Sequence, residues 1–217
     1  MTNAIPDPSS DVWQLSRRIE AWAGEIRVNL IRILAIAIFY ARHLIELLMS
    51  PPGAPVRGEY HLRVTAVIVA WAGAACVIHL LLSRRFYPQA MKFATALLDV
   101  LMITVLCAIA GGPKTPLVLL YFAAIASAPL RLSLELIYVT TASAILGYLA
   151  LLGYYVWHVV GSKIYYSTPE VRIPRSTEVI FVLSLLVTGL FAGQIVRQVR
   201  RMIERQPLLM GTGGQPR

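Results

Sequence analysis

Three histidines and two carboxylates fall at one level of this chain, and a histidine and an aspartate at another, all inside or beside stretches too apolar to hold charge without a partner. At the first level Arg42, His43 and Glu46 end one apolar run, Glu59 and His61 open the next, and His158 closes a later one. Imidazole and carboxylate at one depth can bind a divalent metal, ligate a haem iron or a chlorophyll magnesium, or hold a quinone oxygen. His43, His61 and His158 are therefore the candidate cofactor-binding residues, with Glu46 and Glu59 as candidate metal ligands, although none of the tight metal-ligand spacings is present. Arg42 and Glu46 stand at i and i+4, on one helical face, where they can pair with each other. At the second level His79 ends one run, and Asp99 lies about two turns into the next. An ionisable group in such a run is expensive and marks either a pair or a pathway. A neutral imidazole bonded to the carboxylate satisfies both, so His79 and Asp99 are expected to form a structural polar pair, with a proton-linked switch as the alternative.

The elements that must position these residues are six apolar stretches, Val28–Met49, Thr65–Leu82, Phe93–Ala110, Pro116–Leu130, Leu134–Val159 and Glu178–Ile195. Most approach the ~20 residues that a helix needs to cross the hydrocarbon core. Hydrophobic residues make up 57% of the 217, and the charges gather at the ends of the runs, which excludes an ordinary water-soluble enzyme. The fold class is therefore all-α: a polytopic bundle of six transmembrane helices. The net charge of +9 reflects the positive-inside rule and does not point to nucleic acid. With both termini inside, Arg17, Arg18, Arg27, Arg84, Arg85, Lys92, Arg131, Arg197, Arg200, Arg201, Arg205 and Arg217 are cytoplasmic, against Arg57, Arg63, Lys114, Lys163, Arg172 and Arg175 outside. Arg32 and Arg42 lie near opposite ends of the first run and cancel in this count.

The parts divide at residues 1–27, 28–197 and 198–217. Residues 1–10 read as a disordered lead. From an N-cap at Asp11, Leu15, Ile19, Trp22 and Ile26 recur at helical spacing and predict either an amphipathic helix on the cytoplasmic surface, with Trp13 and Trp22 at headgroup depth, or, equally, a simple cytoplasmic extension of the first span. No cleavable signal peptide precedes the first run. Gly111-Gly112-Pro113-Lys114-Thr115-Pro116 predicts a tight hairpin between the third and fourth spans, and Arg131 the cation holding the next turn at the inner interface. Beyond the last span, Arg197, Arg200, Arg201 and Arg205 form a basic exit helix, stopped by Pro207 and the glycines that follow. Cys76 and Cys107 lie at different depths, too far apart for a disulfide, and read as small core residues. Small residues through spans three to five, Gly147 among them, permit close helix contact.

Asp99, the segment Gly111 to Leu117, Leu120-Tyr121-Phe122 and Pro129-Leu130-Arg131 together resemble the membrane region of bacterial sensor histidine kinases of the type IV pilus sensor kind, over roughly residues 25–205. Similar six-span inputs precede class III nucleotide cyclases. The resemblance implies a sensing or partner-binding membrane module. The family's phosphoacceptor histidine and ATP-binding region have no counterpart after Arg205, so kinase activity is not carried over.

Together these readings describe a non-enzymatic protein of the bacterial inner membrane, N-in and C-in, working through membrane lipids and other membrane subunits. The sequence favours an accessory subunit of a respiratory or photosynthetic type complex, touching lipid, quinone or pigment at the helix surface. A stand-alone regulatory module, signalling through Arg197, Arg200, Arg201 and Arg205 to a separate cytoplasmic kinase or cyclase, is the alternative. A transporter is disfavoured by the lack of internal repeats.

Overall fold

The computed structural model describes residues 8–51, 58–84, 88, 90–161, 164–165 and 173–211, with side chains between positions 22 and 202 of those ranges. Residues 1–7 of the expected disordered lead, the loop prolines Pro52 and Pro55, Phe86 and Tyr87, the tail from 212, and the side chains of Trp13, Arg17, Arg18 and Arg205 lie outside the described residues, while Pro8, Ser9 and Ser10, expected to be disordered, are helical because Pro8 fits the first turn of a helix. Among the described residues the secondary structure is entirely helical.

α1 runs unbroken over Pro8–Met49. The expected surface helix and the first span are one rod, because no proline or turn pair falls between Asp11 and Met49 to interrupt the i to i−4 ladder. Trp22 is tied to the neighbouring helix: its indole N–H donates to the Leu82 carbonyl at 2.9 Å, in the last turn of α2 (Glu59–Ser83), where carbonyls lack intrahelical donors. α3 spans Met91–Ile109. Gly111 and Gly112 then both take positive φ, and α4 follows. α4 is Leu120–Ser127, flanked by 3₁₀ turns Pro116–Leu119 and Ala128–Arg131. This fourth segment has only 16 residues, Pro116–Arg131. The steeper 3₁₀ rise stretches it to roughly 28 Å, close to the ~30 Å of a hydrocarbon core. α5 spans Leu134–Tyr154 and continues as a π-helix, Tyr155–Val160. α6 spans Arg175–Gly211, carrying the helix past Pro207, which does not stop it as expected. Among the described residues five helices are long and apolar enough to cross a membrane, and with the shorter apolar segment Pro116–Arg131 the arrangement is consistent with a bundle of six.

α3 and α5 form the centre, with α2 and then α1 added on one side and α6 against α4 and α5 on the other. Tyr121, Ile125, Ile137, Leu151 and Leu185 are fully buried between them. The centre is tight because Gly147 has no side chain: a Cβ there would stand 2.8 Å from Thr104 Oγ1 of α3. Thr104 meets the buried Tyr121 hydroxyl at 2.8 Å, so α3, α4 and α5 close around one polar contact. Leu34, Ile38, Val69, Leu101, Leu146, Ile180 and Leu190 face outward, as lipid requires. Cys107 is buried, but Cys76 lies on the exposed face of α2 and is not the core residue expected; neither cysteine is in a disulfide.

Candidate functional site

Glu25, Asn29 and Arg32 stand at i, i+4 and i+7 of α1, on one helical face, and all three are buried. That face turns into the bundle. Arg32 clamps Asp99 of α3 with both prongs of its guanidinium, Nε to Oδ1 at 2.6 Å and Nη2 to Oδ2 at 2.7 Å. Its third nitrogen, Nη1, donates to Asn29 Oδ1 at 2.7 Å, and the Asn29 amide donates in turn to the Ala75 carbonyl of α2 at 3.1 Å. Trp71 of α2 adds its indole N–H to Asp99 Oδ1 at 3.1 Å. The arginine fork and the indole between them satisfy both carboxylate oxygens, and the planar fork ties three helices to one another.

His79 has no part in this. It lies on an exposed position of α2, and Asp99 is taken by Arg32 and Trp71, so the expected His79–Asp99 pair is replaced by an Arg32–Asp99 pair. The reason is helical phase: Trp71, Ala75, Ile78 and Leu82 point α2 inward, which rotates His79 away.

Two turns nearer the N-terminus of α1, Glu25 pairs with Arg131 at 3.0 Å, with both side chains almost wholly buried. Arg131 is thus not the interfacial anchor expected. Its backbone is drawn in by Gly24, where a Cβ would come within 2.8 Å of the Leu130 carbonyl; with hydrogen there, the 3₁₀ turn Ala128–Arg131 lies directly on α1. Arg131 Nη1 also donates to the Lys92 carbonyl at the start of α3, 2.9 Å away, and the Lys92 ammonium donates to Ser133 Oγ at 3.3 Å. The next residue, Leu132, adopts φ 49°, a left-handed conformation uncommon for leucine. Its carbonyl accepts from Arg200 of α6, Nε at 3.1 Å together with Nη2, while Arg197 donates to the Tyr138 hydroxyl. Residues Leu130 to Ser133 therefore touch α1, α3 and the exit helix at once.

Between the two ion pairs is a cavity with room for about one water molecule, lined by Ala96, Asp99, Ala124, Ser127, Ala128, Arg131 and Thr140. One charged member of each pair faces it. The arrangement is an internal electrostatic lock.

At the opposite end of the bundle, toward the C-terminus of α1, His43 and His61 meet, Nε2 to Nδ1 at 3.0 Å. Their ring planes are 16° apart with centroids 5.3 Å apart, so edges meet and not faces. Tyr60 lies edge-on to His43. His158 is not brought to them; it is exposed and lies over Tyr154 on the π-helical end of α5. Glu46 faces Arg42 at 3.8 Å and Glu59 binds Arg63 at 2.6 Å, each along its own helix. Among the described residues no three His, Cys, Asp or Glu side chains converge as a metal site.

Residues 13–199 match the family described as the PilS-like transmembrane domain. The chain belongs to that family. No curated protein and no solved structure matches it. The resemblance drawn from the glycine–proline hairpin, Asp99 and Pro129-Leu130-Arg131 thus agrees with a match over most of the chain, and in this PilS-like domain Asp99 and Arg131 face one cavity. Arg32, read from the sequence only as a charge near a span end, is the partner that the sequence reasoning missed. Its signal was the Glu25, Asn29, Arg32 spacing, a polar stripe in phase with the buried Ile36 and His43.

Proposed function

We propose that this PilS-like domain is a non-enzymatic sensory module of the bacterial inner membrane, with both termini cytoplasmic, that reports the packing of its buried ion pairs to a cytoplasmic protein through α6. One observation carries this reading: the turn whose Arg131 is locked to Glu25 also presents the Leu132 carbonyl to Arg200. A shift of α1 that disturbs Glu25 must move that turn, and with it the point at which the exit helix is held. Clusters of cations at this end, on the cytoplasmic side by the positive-inside rule, support the orientation. In native membranes, changing Arg200 and Arg201 to alanine is expected to alter the output of the kinase or cyclase that purifies with the chain, at unchanged chain level. Unchanged output refutes the proposal.

The second reading, an accessory subunit of a respiratory or photosynthetic type complex, is favoured by the outer end of α5. There Tyr154, Trp157 and His158 stand exposed, as aromatic groups meeting a neighbouring subunit or a pigment would. Comigration of the chain with a large coloured assembly on a native gel distinguishes this reading from the first.

A further inference from the structure

The His43–His61 contact is used by neither ion pair, yet it is a part-buried polar link between α1 and α2, beside the longer Tyr40–Thr65 contact at 3.5 Å. An N–H···N bond between two imidazoles works only if one of the facing nitrogens carries a proton and the other does not. The neutral pair meets that condition. So does the pair with one added proton, whose bond becomes charge-assisted and stronger. A second added proton puts N–H on both facing nitrogens, 3.0 Å apart, and two positive charges with them. The bond is then lost and becomes a repulsion.

Around the pair stand Tyr40, Arg42 and Glu46 of α1, and Tyr60 and Thr65 of α2. Glu46 is engaged with Arg42, so the second charge on the histidines meets an arginine as well as an acid. Glu59 and Arg63, two positions either side of His61, pair with each other on the exposed face of α2 and point away from it. Tyr60 presents a ring edge to His43, and Thr65 Oγ1 lies 3.5 Å from His61 Nδ1, so the immediate neighbours are neutral. His43 itself is buried, which penalises the doubly charged state further.

We propose that His43 and His61 form a proton-operated latch: closed while the pair holds no more than one added proton, and open when acidification of the outer face doubly protonates it, so that α1 and α2 part at that end. α1 is a single rod, and its His43 lies on the same buried face as Arg32 and Glu25. Release at the outer end therefore changes the seat of the inner lock. This deepens the sensory reading by naming the proton as the signal, but its test reads the bundle alone.

The full chain in lipid nanodiscs, with Cys76→Ala and with spin labels on cysteines replacing the exposed Ile45 and Leu62, is measured by pulsed electron spin resonance across about pH 8 to 5, the range in which imidazoles ordinarily titrate. The short-distance population is expected to be lost in the acid half of this range. In the same labelled background carrying His43→Gln or His61→Gln, the distances are expected not to change with pH. No transition in the parent, or the same transition in either variant, overturns the latch. Nitrogen NMR of the wild-type chain, free of spin labels and enriched in nitrogen-15 at histidine, gives an answer that does not depend on the variants folding: a coupling across the N–H···N bond present at pH 8 and lost by about pH 5 supports the latch, and a coupling that persists overturns it. A transition in the distances with unchanged output from the Arg200→Ala, Arg201→Ala chain refutes the proposed reporter and leaves the latch standing; the reverse result refutes only the latch.

Discussion

Arg63–Glu59 on α2 and Arg32–Asp99 between α1 and α3 are both arginine–carboxylate bridges with a shortest approach of 2.6 Å. The first has side chains 66% and 82% exposed at the outer end of one helix; the second has side chains 4% and 15% exposed between two. Equal distance does not mean equal consequence. An exposed i,i+4 bridge trades water for a partner that water replaces readily, and it joins residues already held by one backbone. The buried bridge joins segments 67 positions apart in sequence, and neither charge has bulk water to fall back on. The bridge that specifies the fold is the one whose partners cannot be separated without stranding a charge in the bundle.

The sharpest way to break this contrast is Asp99→Ala, which strands the Arg32 guanidinium. A loss of about 3–5 kcal/mol in denaturant unfolding from mild detergent is expected. The double variant Arg32→Leu, Asp99→Leu should recover much of it, because a buried pair replaced by apolar groups of similar volume often costs little. If the double variant is as unstable as the single one, packing around Asp99, and not charge, holds the site. Next in size is Gly24→Val, whose side chain meets the Leu130 carbonyl. Overpacking of about 1–3 kcal/mol is expected, along with faster amide exchange over residues 128–133; a neutral outcome would show that the turn does not rest on α1. Arg200→Ala removes donors from an exposed contact and should change global stability by less than about 1 kcal/mol. Its effect is local, read as faster exchange around Leu132 and greater solvent access at Arg201. Smallest is Arg63→Ala: a change within about 0.5 kcal/mol is expected in the same unfolding measurement, and a larger one would erase the difference between the two bridges.

Legibility from the sequence follows the same divide. The six crossings could be read because length and hydropathy are properties of a segment by itself. The Gly111-Gly112 hairpin was legible for the same reason, since positive φ at two successive residues is a local demand that glycine meets. The partner of Asp99 was not. Depth made His79 the natural choice, but α2 is apolar all round, so nothing in its composition says which side turns inward; packing of Trp71 and Ala75 decided it. Arg32 was hidden by position, because an arginine within two turns of a span end reads as a group that snorkels to the interface. Arg131 was hidden likewise, and only the close approach allowed by Gly24 puts it beside Glu25 instead of at the headgroups. The outer histidines were grouped by depth, and the fold kept two of the three: His158 shares their level but sits on the exposed side of a different helix.

By itself the sequence determined the solvent and the form. In hydrocarbon each backbone group must be satisfied within its own helix, so apolar length alone commits the chain to a helical bundle and places its charges at the ends. The tertiary structure decided which polar side chains meet. Rotating one apolar helix about its axis costs little until neighbours interlock, and those rotations, set by Gly24, Gly147 and the Trp71 face, turn Arg32 toward Asp99, Glu25 toward Arg131 and His43 toward His61.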